Sequence, residues 1–244
     1  MIDDGLEIVR HSQVSLSDYV VKRIDRDAAM SVVTKWHYLH RTCPCSMAFA
    51  LCDSDNNMYG VVTYGVPPSP PLLKGICGED EMHNVYELNR LWIHPSMPTN
   101  SASMLVGRSL RKLDKEIIVS YADTGVGHVG YVYQACNFLY CGTSKESFFD
   151  PIIAGFEGKH NATLAYGLTM KEVEEVYGPE NVTWVPRSKK HRYIYFNAKG
   201  KRKQELMRKL RYKVLTYPKG DSKHAEQESE VCNAERFIEQ MSLF

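Results

Sequence analysis

The strongest constraint on the fold is the segment 116–138, which runs from an apolar stretch through a glycine-rich turn into a helical pattern. The apolar stretch predicts a strand, and the spacing of residues 128–137 predicts a helix that ends at an asparagine. This order exposes side chains and backbone N–H groups at the carboxyl end of the strand. Asp123 lies there, followed by His128 and Tyr133, so the segment predicts an active site.

Length and composition place the chain among soluble globular proteins. Its 244 residues, 43% hydrophobic and 24% charged, are enough for one large domain with a substantial core. No apolar run approaches the roughly eighteen residues that span a bilayer, and the acidic N-terminus is not typical of a signal peptide. Seven cysteines without such a signal predict reduced thiols and a cytoplasmic protein that does not enter membranes.

The charge of the chain is unevenly distributed. Residues 187–213 contain twelve Lys or Arg and one acid, Glu205, whereas the rest of the chain has 18 basic and 28 acidic residues. A basic segment on an acidic body indicates a localised site for a polyanion.

The remaining pattern predicts one α/β domain over residues 1–217, followed by a polar tail, 218–244, that ends in an amphipathic helix. The strands predicted at 46–52 and 58–66 are expected to pair, and prolines between residues 67 and 71 are expected to end the second of them. A loop is expected to continue to residue 83. Leu88, Arg90 and Trp92 are expected to share one face of their strand. Strands are predicted at 18–24, 46–52, 58–66, 85–94, 116–121, 138–144 and 191–196, and helices at 25–36, 100–113, 128–137, 169–177 and 199–211.

This order of elements resembles the GCN5-related N-acetyltransferase fold, a mixed, mostly antiparallel central sheet flanked by helices, here with a basic C-terminal extension. The segment Tyr133-Gln-Ala-Cys-Asn-Phe138, with Gly142, is similar to the helix-to-strand signature of that superfamily. More specifically, the chain resembles the phage Mom family of DNA-modification proteins. The matching segments are Trp36-His-Tyr38, Glu87-Leu-Asn-Arg-Leu91, Ser120-Tyr-Ala-Asp123, Gly127-His128, Tyr133-Gln134 and Lys190-His-Arg-Tyr193.

The resemblance implies a transferase that adds a carbamoylmethyl group to the exocyclic amine of adenine in double-stranded phage DNA. Such a modification hides the DNA from restriction enzymes in the cytoplasm of the host bacterium. Two other readings stay open from the residues. One is an acyltransferase that acts on a protein or a small amine, and the other is a non-catalytic nucleic-acid-binding protein on the same fold.

Four residues are candidates for the chemistry. Adenine's amine is a poor nucleophile, so a transferase has to remove a proton from it, and Asp123 is the candidate base or anchor. Its alternative role is to cap the following helix. Tyr133 is the candidate acid for the leaving group, although it also lies in an apolar helical stripe and can belong to the core. His37 and Tyr38 lie where a helix gives way to a loop, a place suited to a substrate.

The resemblance also suggests iron, with His37 and Asp123 as ligands; the alternative for His37 is a hydrogen bond to a helix-end carbonyl. Arg90, a charge within an apolar strand, requires a partner. That partner is either a phosphate or carboxylate of the donor, or a structural carboxylate from Glu87 or Asp123.

The donor is expected to be acyl-coenzyme A or another activated acyl or aminoacyl carrier. Ordinary acetyltransferases bind pyrophosphate with a glycine-containing loop, but the equivalent stretch here, residues 94–103, contains no glycine. The N-terminus of the next helix, with Asn100, Ser101 and Ser103, can still donate to phosphate.

The basic segment 187–213, together with the predicted active site, predicts a DNA interface. Basic side chains interleaved with aromatic ones neutralise phosphates and stack on bases, and a paired adenine has to be flipped out at a cost of about a few kcal/mol. Tyr38, Tyr131 and Trp92 are candidate stacking partners, and the C-terminal helix is a candidate contact with a second copy of the chain. The predicted DNA-binding residues are Ser120, His128, Lys189, Lys190, His191, Arg192, Lys201, Arg202 and Lys203.

Overall fold

The structure is a computed structural model that describes residues 15–144, 149–156, 164–165 and 167–220. Most strands and helices follow one another along the chain in the order that the sequence pattern predicted. The strands are β1 (Val20–Ile24), β2 (Met47–Cys52), β3 (Met58–Gly65), β4 (Val85–Ile93), β5 (Ile117–Asp123), β6 (Leu139–Thr143), β7 (Phe149–Ile153), β8 (Val182–Pro186) and β9 (Lys190–Phe196). The helices are α1 (Arg26–Trp36), α2 (Pro70–Cys77), α3 (Ser101–Leu110), α4 (Tyr131–Ala135), α5 (Met170–Tyr177) and α6 (Gly200–Lys209).

Seven of these strands form one sheet in the order β1-β2-β3-β4-β5-β9-β6. Every neighbouring pair is antiparallel except β4 and β5, which run parallel. The last strand of the chain, β9, lies between β5 and β6. β7 and β8 pair with each other in a separate two-stranded sheet. The predicted class, a mixed and mostly antiparallel sheet flanked by helices, is confirmed.

Helices cover both faces of the large sheet. On one face, α3 buries Leu105, Val106 and Leu110 against strand residues, and α4 packs Val132 and Tyr133 against the same cluster. We call this the α3 face. On the other face, α1 packs on β2 and β3, while α2 and Leu206 of α6 pack on β5 and β9. We call this the α1 face.

One prediction, a loop from the prolines to residue 83, is wrong. Ser69 accepts a hydrogen bond from the Leu72 N–H and caps α2, in which Pro70 and Pro71 occupy the first two positions. Proline is suited to these positions because its missing N–H would have no partner within the helix. A 3₁₀ helix, Glu79–Asn84, then leads into β4.

Other boundaries shift for local reasons. The helix predicted from residue 128 begins at Tyr131, because Gly127 and Gly130 have φ angles of 73° and 78° that a helix does not permit. The short strands β7 and β8 were not predicted. Thr169 does cap α5, with a reciprocal capping box to Glu172.

A bulge in β4 changes which residues face which side. Tyr64 of β3 pairs with Leu88 and Thr63 pairs with Arg90, so Asn89 is an additional residue without an opposite partner. Leu88 therefore packs on the α3 face, whereas Arg90 follows Thr63 to the α1 face. The prediction that Leu88, Arg90 and Trp92 share a face is wrong.

After α6 the chain returns across the sheet. The N–H of Leu215 donates to the carbonyl oxygen of Tyr140 in β6, and the hydroxyl of Tyr217 donates to the carbonyl oxygen of Phe138. The side-chain amide of Gln134 in α4 donates to the carbonyl oxygen of Pro218. This extension therefore continues the domain up to residue 220, and the predicted C-terminal helix lies outside the described residues.

Candidate active site

A cleft opens where the two parallel strands part. Their pairing ends at Leu88 and Ser120, after which β4 pairs only with β3 and β5 only with β9. The cavity between them measures about 300 Å³, within the size range of small-molecule sites. Its walls come from both faces of the sheet and include the four residues predicted for the chemistry, His37, Tyr38, Asp123 and Tyr133.

Asp123 caps a turn and also lines the cleft. Its Oδ1 accepts the N–H of Gly125 at 2.8 Å and the hydroxyl of Ser188 at 2.6 Å, so it caps the 3₁₀ turn Thr124–Val126. Its Oδ2 lies 3.7 Å from the Nζ of Lys190 at the wall of the cleft. One oxygen is thus held in place while the other borders the cavity.

Tyr133 lies on α4 and lines the cleft from the α3 face. Its ring packs against Phe138 and Tyr193, with centroid separations of 5.5 and 5.3 Å. The helix approaches the sheet closely because Gly130 has no side chain; a Cβ there would lie 2.6 Å from the Tyr193 ring. Tyr133 is therefore both packed in the core and accessible from the cavity.

His37 and Tyr38 follow the end of α1 and form the opposite wall. His37 is only 6% exposed, and its Nδ1 accepts the N–H of Leu39 at 3.2 Å. Burial, followed by the charges of Arg90, His40 and His128, lowers the pKa of His37 to about 3. The imidazole is therefore neutral at physiological pH, with its proton on Nε2. It accepts an amide hydrogen rather than donating to a carbonyl, the alternative considered above.

Tyr38 forms an aromatic surface at the rim. Its ring stacks on His37 at 4.4 Å and meets the edge of His128 at 6.0 Å, and 44% of the residue is exposed. Burial of its hydroxyl and the nearby Asp123 raise the pKa of Tyr38, so the phenol stays protonated. A flat ligand can stack against this surface.

The donor set does not fit the iron suggested by the resemblance. Within the described residues no group of three or more His, Cys, Asp or Glu side chains is placed to hold a metal ion. The Nδ1 of His37 and the Oδ1 of Asp123 already accept hydrogen bonds from the protein. The chemistry derived below uses no metal.

Arg90 lines the cleft and is 8% exposed. Its NH1 donates to the carbonyl oxygen of Asn89 at 2.6 Å, and its Nε is buried without a hydrogen-bond partner. Burial raises the pKa of Glu87, and the charges of Arg90 and Lys190 oppose that shift. Among the described residues no carboxylate lies within 4 Å of Arg90, so neither Glu87 nor Asp123 pairs with it.

The N-terminus of α3 borders the same cleft through Ala102. Its hydroxyls are already engaged, since Ser101 donates to the carbonyl oxygen of Pro98 at 2.6 Å and Ser103 to that of Asn100 at 3.0 Å. Ser101 is also fully buried, which contradicts its predicted side-chain contact with a cofactor. An anion at this end of the helix would be bound by backbone N–H groups.

Two predicted DNA-binding residues have structural roles instead. Ser120 is fully buried, and its hydroxyl donates to the carbonyl oxygen of Leu88 at the point where the strands part. Arg202 forms ion pairs with Glu81, Glu116 and Glu205 at 2.7 to 3.0 Å. These acids neutralise its charge, so the structure favours a structural role for Arg202 over the predicted contact with DNA.

The other predicted DNA-binding residues occupy different surroundings. Lys189, Lys201 and Lys203 are exposed, whereas Lys190 and His128 border the cleft. The Nδ1 of His191 is hydrogen-bonded to the Tyr140 hydroxyl at 2.9 Å, and the guanidinium of Arg192 lies 4.1 Å from the centre of the Tyr212 ring.

Three residues near the cleft were missed by the sequence reasoning. Ser188 donates a hydrogen bond to Asp123, but it lies within the basic segment, where only the charged residues gave a functional signal. Asn89 is the bulged residue. It lies inside the motif Glu87–Leu91, but the sequence pattern indicated no role for it. Arg41 follows the motif Trp36–Tyr38 and carries no sequence signal beyond its charge.

Comparisons with known proteins found a matching family and several similar chains. The sequence model of the Mom protein family matches residues 18–219. The chain is 28% identical over 196 residues to "Methylcarbamoylase mom" of Escherichia phage Mu, an alignment covering 78% of this chain and 80% of the relative. Solved structures similar to it include a spermidine/spermine N-acetyltransferase, SpeG, from Vibrio cholerae, with 12% identity, a TM-score of 0.43, and coverage of 75% of this chain and 94% of that chain. A dodecameric spermidine N-acetyltransferase structure from the same organism matches at 12% identity and a TM-score of 0.43, covering 74% and 95% of the two chains.

The strand order, the parting of β4 from β5 and the side chains in the cleft define the class of fold, a mixed and mostly antiparallel α/β sheet with a cleft between its two parallel strands. No helix in the described part of the chain is long and apolar enough to cross a membrane. The chain belongs to the Mom protein family.

Proposed function

We propose that this protein transfers a carbamoylmethyl group to the exocyclic amine of adenine in phage DNA. The observation that carries the proposal is the convergence of His37, Tyr38, Asp123 and Tyr133 on one cleft between parted strands. The relative in phage Mu is called a methylcarbamoylase, which supports transfer of a group of this kind. Modified DNA would resist restriction enzymes in the cytoplasm of the host.

The adenine would enter the cleft from the α1 face after being flipped out of the duplex, at a cost of about a few kcal/mol. Among the candidate stacking partners, Tyr38 is favoured because its exposed ring already stacks on His37 and meets His128 edge-on. Neutral His37 presents Nε2–H as a hydrogen-bond donor, which a ring nitrogen of adenine can accept. Aromatic stacking combined with one directed donor suits a planar base.

The transfer requires one bond to form and one to break. The amine nitrogen forms a bond to the donor's methylene carbon while the bond from that carbon to the leaving group breaks. The Oδ2 of Asp123 takes the proton released by the amine, and the Tyr133 hydroxyl gives a proton to the leaving group. Asp123 afterwards loses its proton to water, and Tyr133 regains one from water.

The donor is proposed to be an activated carrier that bears the leaving group on this methylene carbon, because attack on the carbonyl carbon of an acyl-coenzyme A would form an amide instead. The cleft continues to the N-terminus of α3 on the opposite face, where backbone N–H groups can meet an anionic carrier. Pro95 and Pro98 remove two donors from the preceding loop, and the stretch lacks glycine. These features favour a carrier held less extensively by its phosphates than coenzyme A is in ordinary acetyltransferases.

The DNA would be held by exposed lysines, one beside the cleft and two on α6. Lys189 precedes β9, and Lys201 and Lys203 lie on α6 without an ion pair within the described residues. Each contact of this kind neutralises a backbone phosphate and makes binding salt-dependent.

The test is mass spectrometry of nucleosides from plasmid DNA in bacteria that express the chain. A deoxyadenosine adduct with the mass of an added carbamoylmethyl group is expected from the wild type and not from Asp123→Asn. Acylated proteins or small amines with unmodified DNA would favour an acyltransferase of another specificity. If DNA, proteins and amines are all unmodified, the result would favour a non-catalytic nucleic-acid-binding protein.

A further inference from the structure

Three arginines of the described residues have a buried Nε without a hydrogen-bond partner: Arg41, Arg90 and Arg192. The charge of Arg192 lies over the Tyr212 ring at 4.1 Å, which accounts for its position. Arg41 and Arg90 have no such aromatic partner within the described residues. Arg90 lines the cleft, and its NH2 reaches the carbonyl oxygen of Thr42, the residue after Arg41, at 3.5 Å.

Arg90 is held in place by backbone atoms alone. It follows the bulged Asn89, donates to the carbonyl oxygen of that residue, and reaches the carbonyl oxygen of Thr42 at 3.5 Å. Carbonyl oxygens orient a guanidinium without neutralising it. A positive charge that is 8% exposed and lacks a carboxylate is costly, and ligand anions are the usual compensation at such sites.

Arg41 brings a second charge of the same sign. Burial and the charge of Arg90 both lower the pKa of Arg41, while nearby Tyr38 and Cys43 oppose the shift. Its loop is fixed to the bulge, because the Asn89 side chain donates to the carbonyl oxygen of Pro44 at 2.6 Å. The fold therefore holds two guanidinium groups together despite their repulsion.

A pair of guanidinium groups is complementary to a phosphate, which carries a charge and several acceptor oxygens and can be bound in a bidentate way. The side of the sheet indicates whose phosphate it is. The N-terminus of α3, where an activated carrier would enter, lies on the α3 face. Arg41 and Arg90 lie on the α1 face with His37 and Tyr38, the proposed wall for the base.

We propose that Arg41 and Arg90 together bind the DNA backbone phosphate next to the adenosine that enters the cleft. The proposal rests on the proposed function, since it assigns the α1 face to DNA. The two guanidinium groups hold the backbone while the base occupies the cleft, so they select for a nucleotide within a strand over a free nucleoside.

The test measures DNA binding without chemistry. The probe is a fluorescent oligonucleotide with a single adenine, prepared with ordinary phosphates and with a neutral methylphosphonate on either side of that adenine. For the wild type, one of the two neutral linkages should weaken binding about tenfold, as expected for loss of a charge-assisted contact. Arg41→Gln should weaken binding of the ordinary oligonucleotide and be less sensitive to that linkage than the wild type, because only Arg90 still contacts the phosphate.

Arg26→Gln is the matched control, because Arg26 is an exposed arginine at the opposite end of α1. It should leave the effect of the neutral linkage unchanged. Arg41→Lys keeps the charge without the planar fork and should recover part of the affinity. Thermal unfolding supplies a second readout, because removing one of two repelling charges should leave the melting temperature of Arg41→Gln equal to or above that of the wild type.

The outcomes separate this inference from the proposed function. If the losses from Arg41→Gln and from the neutral linkage simply add, the arginine does not contact that phosphate and the inference is wrong. It is also wrong if Arg41→Gln leaves DNA binding intact and instead weakens binding of coenzyme A measured by calorimetry. Non-additive losses in a protein that produces no adenine adduct would retain the phosphate site and reject the chemistry.

Discussion

Asn89 donates its side-chain amide to the carbonyl oxygen of Pro44 at 2.6 Å, and its side-chain oxygen accepts the hydroxyl of Thr63 at 2.6 Å. The bulged residue of β4 thus joins two strands to the loop after α1. The same bulge turns Arg90 toward the α1 face. One residue therefore sets the positions of two arginines and of the wall that carries His37.

Asn89→Ala should destabilise the protein by about 1–3 kcal/mol, because two hydrogen bonds, one of them part-buried, lose a partner. Urea unfolding measures the change. Asn100→Ala is the control, since the Asn100 side chain makes no capping hydrogen bond and its loss should have little effect. Equal stabilities for the two variants would show that the loop is held by other contacts.

Asp123→Asn should lower the yield of the adenine adduct about a hundred- to ten-thousand-fold, because an amide cannot take a proton from the amine. Its oxygen can still accept the Gly125 N–H and the Ser188 hydroxyl, so the turn should remain folded. Single-turnover assays with nucleoside mass spectrometry measure the loss, and anisotropy measures DNA binding. A variant that is inactive only because it no longer binds DNA would contradict the role of base.

Tyr133→Phe removes a hydroxyl and keeps the ring contacts with Phe138 and Tyr193. We expect a similar loss of activity, about a hundredfold or more, with an unchanged melting temperature. Tyr195→Phe is the matched control, because Tyr195 also packs on Phe138 but does not line the cleft. Full activity in Tyr133→Phe would assign this tyrosine to the core alone.

His37 should make the protein less stable in acid. Its pKa is about 3 in the folded protein and 6.5 as an ordinary value, so unfolding takes up a proton below pH 6.5. The free energy of unfolding therefore keeps its full value above pH 6.5 as far as His37 is concerned, and it falls by about 2 kcal/mol between pH 7 and pH 5. His37→Asn should show a smaller fall in urea unfolding over this range. Parallel pH curves would mean that the pKa of His37 is the same in the folded and the unfolded protein.

Substitution of Arg202 should affect stability, whereas substitution of its neighbours Lys201 and Lys203 should affect DNA binding. Arg202→Gln leaves Glu81, which is 4% exposed, with Lys209 as its remaining cation, and should cost about 1–3 kcal/mol of stability. Lys201→Gln combined with Lys203→Gln should leave stability unchanged and reduce the salt dependence of DNA binding by roughly two phosphate contacts. The reverse pattern would place Arg202 in the DNA interface.

The sequence predicted those elements whose signals are local. The acidic start of α1, the Thr169 cap of α5 and the pairing of β2 with β3 all depend on residues close in sequence, and each appears in the structure. Residues of the strand–turn–helix segment also meet in the cleft as predicted, because a turn fixes the short distance from Asp123 to the following helix.

Features set by tertiary contacts could not be read in this way. Arg202 looked like a DNA contact because its partner Glu81 is distant in sequence. Ser120 looked accessible because the point where β4 and β5 part has no sequence signal. The bulge at Asn89 reversed the expected face of Arg90, since a single additional residue changes the side to which every later side chain points.

The position of β9 between β5 and β6 has a consequence for synthesis of the protein. β6 pairs only with β9 in the large sheet, and Lys190 at the start of β9 completes a wall of the cleft. A chain still emerging from the ribosome therefore lacks an assembled catalytic pocket until residue 196 has been translated. Chains in which β9 has not yet been made would therefore lack the proposed activity.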